Sequence, residues 1–288
     1  MGNQKIRFGR FARSAWLTFP FLFLSFGWGG EIKRVDPEDL PFLLVHENTC
    51  NSYFIRSGNA CLVIDWGTGK FLRQLESLGI KRIERVLFTH HHREQLQGAG
   101  LIDRSTTQVW APEKERDFFE QPASFRKWWP KLGDKFSVYG ASYLRPPVHP
   151  IALDRTLGDG ETFGWKGFRI TCISTPGHSP GHMAYLLEGN GKTIGFTGGH
   201  FHDGAKLSTW FDSEWDYGFG KGIDALLQST EKLISHKPAI ALPSHGPPIV
   251  RATRQLETFK EKLTGFRASY LRGYPVHKMK PEEADGYS

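Results

Sequence analysis

Histidine is the residue type through which this chain is equipped to do chemistry. Twelve are present in 288 residues, and eight of them follow apolar runs: His90, His91 and His92 after RVLFT, His178 and His182 after CISTPG, His200 and His202 after GFTGG, and His245 after ALPS. Neutral imidazole is the commonest metal ligand, a strand end holds its side chains rigidly, and the adjacent glycines let backbone approach closely. Taken singly, any of these histidines reads as easily as a surface or core residue. Four strand ends that each deliver histidine point instead to one shared metal site.

The elements that must position them are short strands separated by turns. PFLLVHE, NSYFIRSG and ACLVIDWG open a meander, with Gly58-Asn59 as the hairpin turn between the last two. Phe71, Leu72, Leu75 and Leu78 recur at helical spacing and stop at Gly79, after which RIERVLFTH forms a strand ending in the histidine cluster. Further strands are expected at TQVWAP, VHPIALD, FRITCIST, MAYLLE, KTIGFTG and AIALPSH, and helices near Asp224 to His236 and Ala252 to Leu271. Each half, about 40 to 150 and 150 to 265, carries strands followed by helix, so two sheets packed face to face with helices outside are expected.

Composition narrows the function classes. A chain with 39% hydrophobic and 23% charged residues excludes disorder, collagen and coiled coil. The net charge of +7 owes four cations to Lys5, Arg7, Arg10 and Arg13, and the remaining 33 basic residues face 30 acidic ones, so no nucleic-acid partner is expected. Cys50, Cys61 and Cys172 are odd in number and unclustered, and they read as buried free thiols rather than a disulfide framework. The four early cations precede an uncharged stretch from Ser14 to Gly30 that is shorter and more broken by Pro and Gly than a membrane span of about 20 apolar residues. Residues 1 to 30 are therefore expected to be a signal for export to the periplasm or exterior, with an uncleaved membrane tether as the alternative.

Five motifs in order give the chain a family resemblance. Ile64-Asp65-Trp66-Gly67, His90-His91-His92-Arg93-Glu94-Gln95, Thr175-Pro176-Gly177-His178, Phe196-Thr197-Gly198-Gly199 and Pro243-Ser244-His245-Gly246 resemble, in turn, the Ile-Asp-x-Gly, His-x-His-x-Asp-His, Thr-Pro-Gly-His, Phe-Thr-Gly-Asp and Pro-x-His-Gly motifs of the metallo-β-lactamase-like hydrolases. The resemblance covers about residues 42 to 265. It implies an α/β fold, a four-layer αββα sandwich of two mixed sheets flanked by helices, over residues 40–265, followed by a tail from 266 to 288.

For the site, the resemblance implies that His90, His92 and His178 bind one cation, zinc by preference with iron or manganese as alternatives. Three neutral imidazoles leave a fourth position for water, whose pKa can fall toward 7. The family's second metal position looks degraded: its Asp-His pair reads Glu94 and Gln95, its bridging Asp reads Gly199, and only His245 is retained. One cation is expected, unless His200 swings toward His245 and Glu94 to rebuild the second site. Glu94 reads either as a proton shuttle, the candidate catalytic carboxylate, or as an acid that fixes its loop. Asp65 and His182 read as residues supporting the ligands, and His91 as pointing away from them. Aromatic stretches around Phe118, Phe119, Phe125, Trp128 and Trp129 and around Trp210, Phe211, Trp215, Tyr217 and Phe219 read either as a cover over the metal or as packing. The function implied is hydrolysis of a small-molecule ester, thioester, lactone, lactam or phosphoester by metal-bound hydroxide. The competing reading is a non-catalytic metal- or ligand-binding protein on the same scaffold.

Overall fold

Runs such as ACLVI and MAYLLEG show no polar alternation because both of their faces are covered. The computed structural model describes residues 30–35, 40–123, 147–189, 191–207 and 221–273. Strands β1 (Ile32–Arg34), β2 (Leu43–Glu47), β3 (Asn51–Ser57) and β4 (Ala60–Ile64) form an antiparallel meander. β5 (Arg82–Leu87), β6 (Gln108–Pro112) and β7 (Arg155–Leu157) extend it in parallel, giving a seven-stranded mixed sheet in chain order. The second sheet has six strands in the order β13-β12-β11-β10-β9-β8. In it β8 (Thr162–Trp165), β9 (Phe168–Ser174), β10 (Met183–Gly189) and β11 (Lys192–Gly198) run antiparallel. β12 (Ile240–Pro243) lies parallel to β11, and β13 (Ile249–Val250) closes the edge.

Side chains alternate across each strand, so one strand feeds two layers of core. Tyr53, Ile55, Leu62 and Ile64 point between the sheets to meet Cys172, Tyr185, Leu187 and Phe196 from the other side. Their neighbours Phe54, Cys61 and Val63 point outward beneath Trp66, Phe71, Leu96 and Phe119. On the second sheet Ala184, Leu186 and Ala241 are covered by α3 (Lys221–Ser235) and α4 (Ala252–Gly273) through Leu226, Leu233, Leu256 and Phe259. α1 (Arg93–Leu96) and α2 (Arg116–Glu120) lie on the first sheet's side through Leu96 and Phe119. Two mixed sheets with flanking helices make the four-layer α/β sandwich. Each large apolar side chain so buried contributes on the order of 1.5–3 kcal/mol.

The sheets are also tied by polar bonds beside the future site. Tyr53 donates its hydroxyl to the Pro243 carbonyl at 2.8 Å, and Tyr185 donates to the Phe88 carbonyl at 2.6 Å. The Asn51 amide donates to the carbonyls of Pro243 and Gly246 at 2.9 and 2.8 Å. β4 and β5 end at Ile64 and Leu87, next to where β11 and β12 end, which places the motif loops at one end of the sandwich.

Several expectations are corrected. Residues from Lys70 form a 3-10 turn over Lys70–Gln74 rather than an α-helix, since a segment of this length gains little from helix propagation and Phe71 alone anchors it fully. The segment VHPIALD is not a strand, and β7 begins only at Arg155. The sheet starts before residue 40 with β1, and α4 runs through the first residues assigned to the tail, to Gly273. All three cysteines are buried and free. No helix among the described residues is long and apolar enough to cross a membrane. The N-terminal segment to residue 29, the aromatics at 125–129 and 210–219, and the tail from 274 lie outside the described residues.

Tyr53→Phe should lower unfolding free energy by about 1 kcal/mol, the usual cost of one buried hydrogen bond whose acceptor keeps a second donor. Urea denaturation checks this, and an unchanged midpoint would show that the Tyr53 bond does not help clamp the two sheets.

Candidate metal centre

After β5 the chain stays extended through His90, His91 and His92 before turning into α1, for which His92 is the N-terminal flanking residue at φ −64° and ψ 141°. Extended backbone sends alternate side chains to opposite sides. His90 and His92 therefore face together, with ring centroids 4.5 Å apart, and His91 turns away to stack on Phe118 at 4.1 Å. The Met183 N–H donates to the Thr89 carbonyl at 2.9 Å, linking this segment to the second sheet. His178 arrives on the loop after β9. Gly177 in that loop has φ +136°, and a Cβ there would lie 2.7 Å from the Leu226 Cα, so only glycine permits this approach to α3.

The ring nitrogens of His90, His92 and His178 lie within 4.8 Å of one another, and all three residues are buried. His90 Nε2 is 3.2 Å from His178 Nε2. Burial, reinforced by the surrounding imidazoles, holds His90 well below the ordinary histidine range, so it is neutral with a lone pair to offer. Three buried imidazoles at this spacing fit a divalent cation such as zinc.

One chain of hydrogen bonds orients the first ligand. Asp65 accepts the Thr89 backbone N–H at 2.9 Å and the Thr89 hydroxyl at 2.9 Å, and Ser244 donates to it at 3.3 Å. With its proton committed to Asp65, the Thr89 oxygen accepts from His90 Nδ1 at 2.8 Å, which leaves Nε2 unprotonated toward the cluster. Burial pushes the Asp65 carboxyl up to about 7 against the pull of these hydrogen bonds. A nearby cation would favour its charged form. Asp65 adopts φ +56°, uncommon for a residue with a side chain, and Trp66 and Gly67 both donate to the Gln95 carbonyl at 2.8 Å to hold that turn.

The other expected residues are distributed differently. His182 accepts the Gly199 N–H on Nε2 at 3.1 Å and pairs through Nδ1 with Thr175 at 2.8 Å, so both ring nitrogens are used behind the cluster. His200 does not turn to His245 and Glu94. It packs inward, pairing through Nε2 with Thr230 of α3 at 3.0 Å, with its ring 5.9 Å from Phe259. His245 stands outside the set of three, its ring stacked on His202 at 5.9 Å. Gln95 is fully buried, and its side-chain amide finds no hydrogen-bond partner among the described residues. Glu94 is half-exposed, with Oε1 3.9 Å from His92 Nδ1.

The decisive difference lies at Gly199. A Cβ on this residue would sit 2.2 Å from His178 Nε2 and 2.4 Å from its Cδ2. The His178 ring fills the space in which any side chain at 199 would begin. The absence of a side chain at 199 and the position of the His178 ring are therefore coupled sterically.

Sequence reasoning did not single out Glu115. It is fully buried at the end of the 3-10 turn Glu113–Glu115, accepting from His91, from the Ser179 hydroxyl at 2.6 Å and from the Gly181 N–H at 2.7 Å. In the run EKERD nothing distinguishes this acid from its neighbours. Thr89 and Ser179 are marked only by adjacency to the histidine motifs.

The family model of the metallo-beta-lactamase superfamily matches residues 47–245. Hydroxyacylglutathione hydrolase from Aeromonas salmonicida is 28% identical over 151 residues, covering 51% of this chain and 47% of that protein. Atrochrysone carboxyl ACP thioesterase from Aspergillus fumigatus is 26% identical over 216 residues, 72% of this chain and 54% of that one. The chain thus spans about half the length of these curated relatives. Among solved structures, the metallo-β-lactamase of Cronobacter sakazakii with an HARLDQ motif superposes with TM-score 0.60 at 16% identity, over 88% of this chain and 98% of that one. BJP-1, a subclass B3 metallo-β-lactamase of Bradyrhizobium japonicum, gives 0.59 at 15% identity, over 85% and 97%.

Gly199→Asp should displace His178, so metal per chain should fall below that of the unmodified protein. Elemental analysis tests this, and a rise toward two equivalents would show that the second position can be restored. Burial, with a further contribution from His178, lowers His200 to about 3 from an ordinary value near 6.5. The unfolded chain therefore binds the extra proton as pH falls below 6.5, and stability is lost down to about pH 3. In metal-free protein the slope of unfolding free energy against pH in that window should be steeper than in His200→Gln, by up to roughly 1.4 kcal/mol per pH unit. Parallel slopes in denaturant titrations would contradict it.

Proposed function

The chain belongs to the metallo-β-lactamase superfamily, and on that premise we propose that it is a metal-dependent hydrolase working with a single zinc ion held by His90, His92 and His178. The observation that carries this reading is the placement of His178 against Gly199: the three-imidazole site is kept, while the space for a bridging side chain is taken. Bound there, zinc would supply Lewis acidity and an activated water. The chain's own groups supply orientation and proton handling. Asp65 and Thr89 fix the His90 tautomer, and the buried surroundings of the triad strengthen its electrostatics. Glu94, partly open to solvent beside His92, is the proposed carrier of protons between the site and solvent.

For substrate we propose a small acyl compound, with thioesters first. The printed activities of the curated relatives, hydroxyacylglutathione hydrolase and an acyl-carrier thioesterase, support that order. Export through the N-terminal segment is part of the proposal and rests on its charge pattern alone.

Protein purified without chelator should carry near one equivalent of zinc and hydrolyse an acylglutathione thioester faster than a β-lactam or a phosphodiester. His178→Ala should lose both the metal and at least 100-fold in kcat/KM, about 2.7 kcal/mol of transition-state stabilisation. Folded protein that takes up no metal would instead favour a non-catalytic binding protein. Turnover of a lactam or phosphodiester above the thioester would overturn the substrate order alone.

A further inference from the structure

We propose that Glu115 is a positioning residue that sets the spacing between the two ligand-bearing loops and thereby the affinity of the metal site. The inference rests on the reading that a cation occupies the His90, His92 and His178 cluster. Glu115 is fully buried, and its two oxygens divide between the loops. Oε2 takes the His91 backbone N–H at 3.1 Å and the His91 ring through Nδ1, which fixes the residue between two ligands. Oε1 takes the Ser179 hydroxyl at 2.6 Å and the Gly181 N–H at 2.7 Å, which fixes the loop just after the third. Four donors from segments 88 residues apart in sequence thus converge on one carboxylate.

The fit around it is tight. A Cβ on Gly181 would lie 2.7 Å from the Glu115 Cγ, so glycine at 181 is what lets the loop close onto the acid. The His91 ring bonds Glu115 at its edge and stacks its face on Phe118, which lies in α2 directly after the turn that carries Glu115. An ionised carboxylate taken out of water costs several kcal/mol unless it is fully hydrogen-bonded, and here both oxygens are. Burial would raise its pKa, yet His91 and the donors from Ser179 and Gly181 outweigh burial and hold it below the ordinary glutamate range. A neutral amide of the same shape would have to point an N–H at one pair of these donors. The arrangement therefore demands the acid, and it places a buried negative charge beside a site built for a cation. The hydrogen bonds of Glu115 go to His91, Ser179 and Gly181, so it acts through the loops.

The test is Co(II) affinity, read by competition with a chromophoric chelator, together with the visible d–d spectrum of the bound ion, in the full chain and in Glu115→Gln. Loss of a group that orients metal ligands typically weakens binding about 10–100-fold. Glu115→Gln should fall in that range with a shifted d–d spectrum, while far-UV circular dichroism of the metal-free protein is unchanged. Ser179→Ala removes one donor and keeps the charge, and it should weaken Co(II) several-fold, so it carries the test if Glu115→Gln does not fold. An affinity within twofold of the unmodified protein and an unshifted spectrum, in the variant that folds, would overturn the role of Glu115 while leaving the metal reading intact. Unmodified protein that binds no Co(II) would overturn the metal reading and this inference with it.

Discussion

Three imidazoles whose nitrogens lie within 4.8 Å of one another in a protein interior cannot all be protonated, and the rest of the structure answers to that constraint. Each ring must stay neutral, and each must have the correct nitrogen free. For His90 the environment enforces the first condition through burial and the neighbouring imidazoles, which hold it well below the usual histidine range. Hydrogen bonds to the opposite nitrogen enforce the second, as Thr89 does for His90 with Asp65 behind it. The same pattern recurs at His182, where Thr175 takes one nitrogen and the Gly199 N–H takes the other. There the lone pair is spent on backbone, so a chemically identical ring becomes a strut.

Glycine decides which of these rings can approach. At 177 it lets the third ligand loop lie on α3, at 181 it lets the loop close over Glu115, and at 199 it leaves room for the His178 ring itself. Each position trades a side chain for proximity between segments far apart in sequence. The approach at 199 is the closest of the three, because the space in which a side chain would begin is there filled by the His178 ring.

The scaffold makes such close tolerances sustainable. Both sheets are buried on both faces; the Tyr53 and Asn51 bonds tie β3 to the end of β12, and the Tyr185 bond ties β10 to the residue after β5. A close-packed core transmits little slack, so ligands mounted at its strand ends inherit its rigidity. Functional precision at the site is therefore a property of the two-sheet sandwich more than of the loops alone.

The amino-acid order determined the longer buried strands, the αββα layering and the three histidines that gather, because apolar runs, turn glycines and motif spacing are local signals, whereas the short strands β1, β7, β8 and β13 left no such signal. It also marked residues 94, 95 and 199 as places where the second metal position departs from the family. Local signals could not say that His200 would turn inward to Thr230, that His245 would stack on His202, or that the Phe71 segment would form a 3-10 turn. Those outcomes depend on which nonlocal surface each residue meets after folding. Glu115 is the clearest case: within its own segment it is one acid among several charged neighbours. Only the tertiary structure, by bringing residues 91, 179 and 181 to its two oxygens, made it distinct.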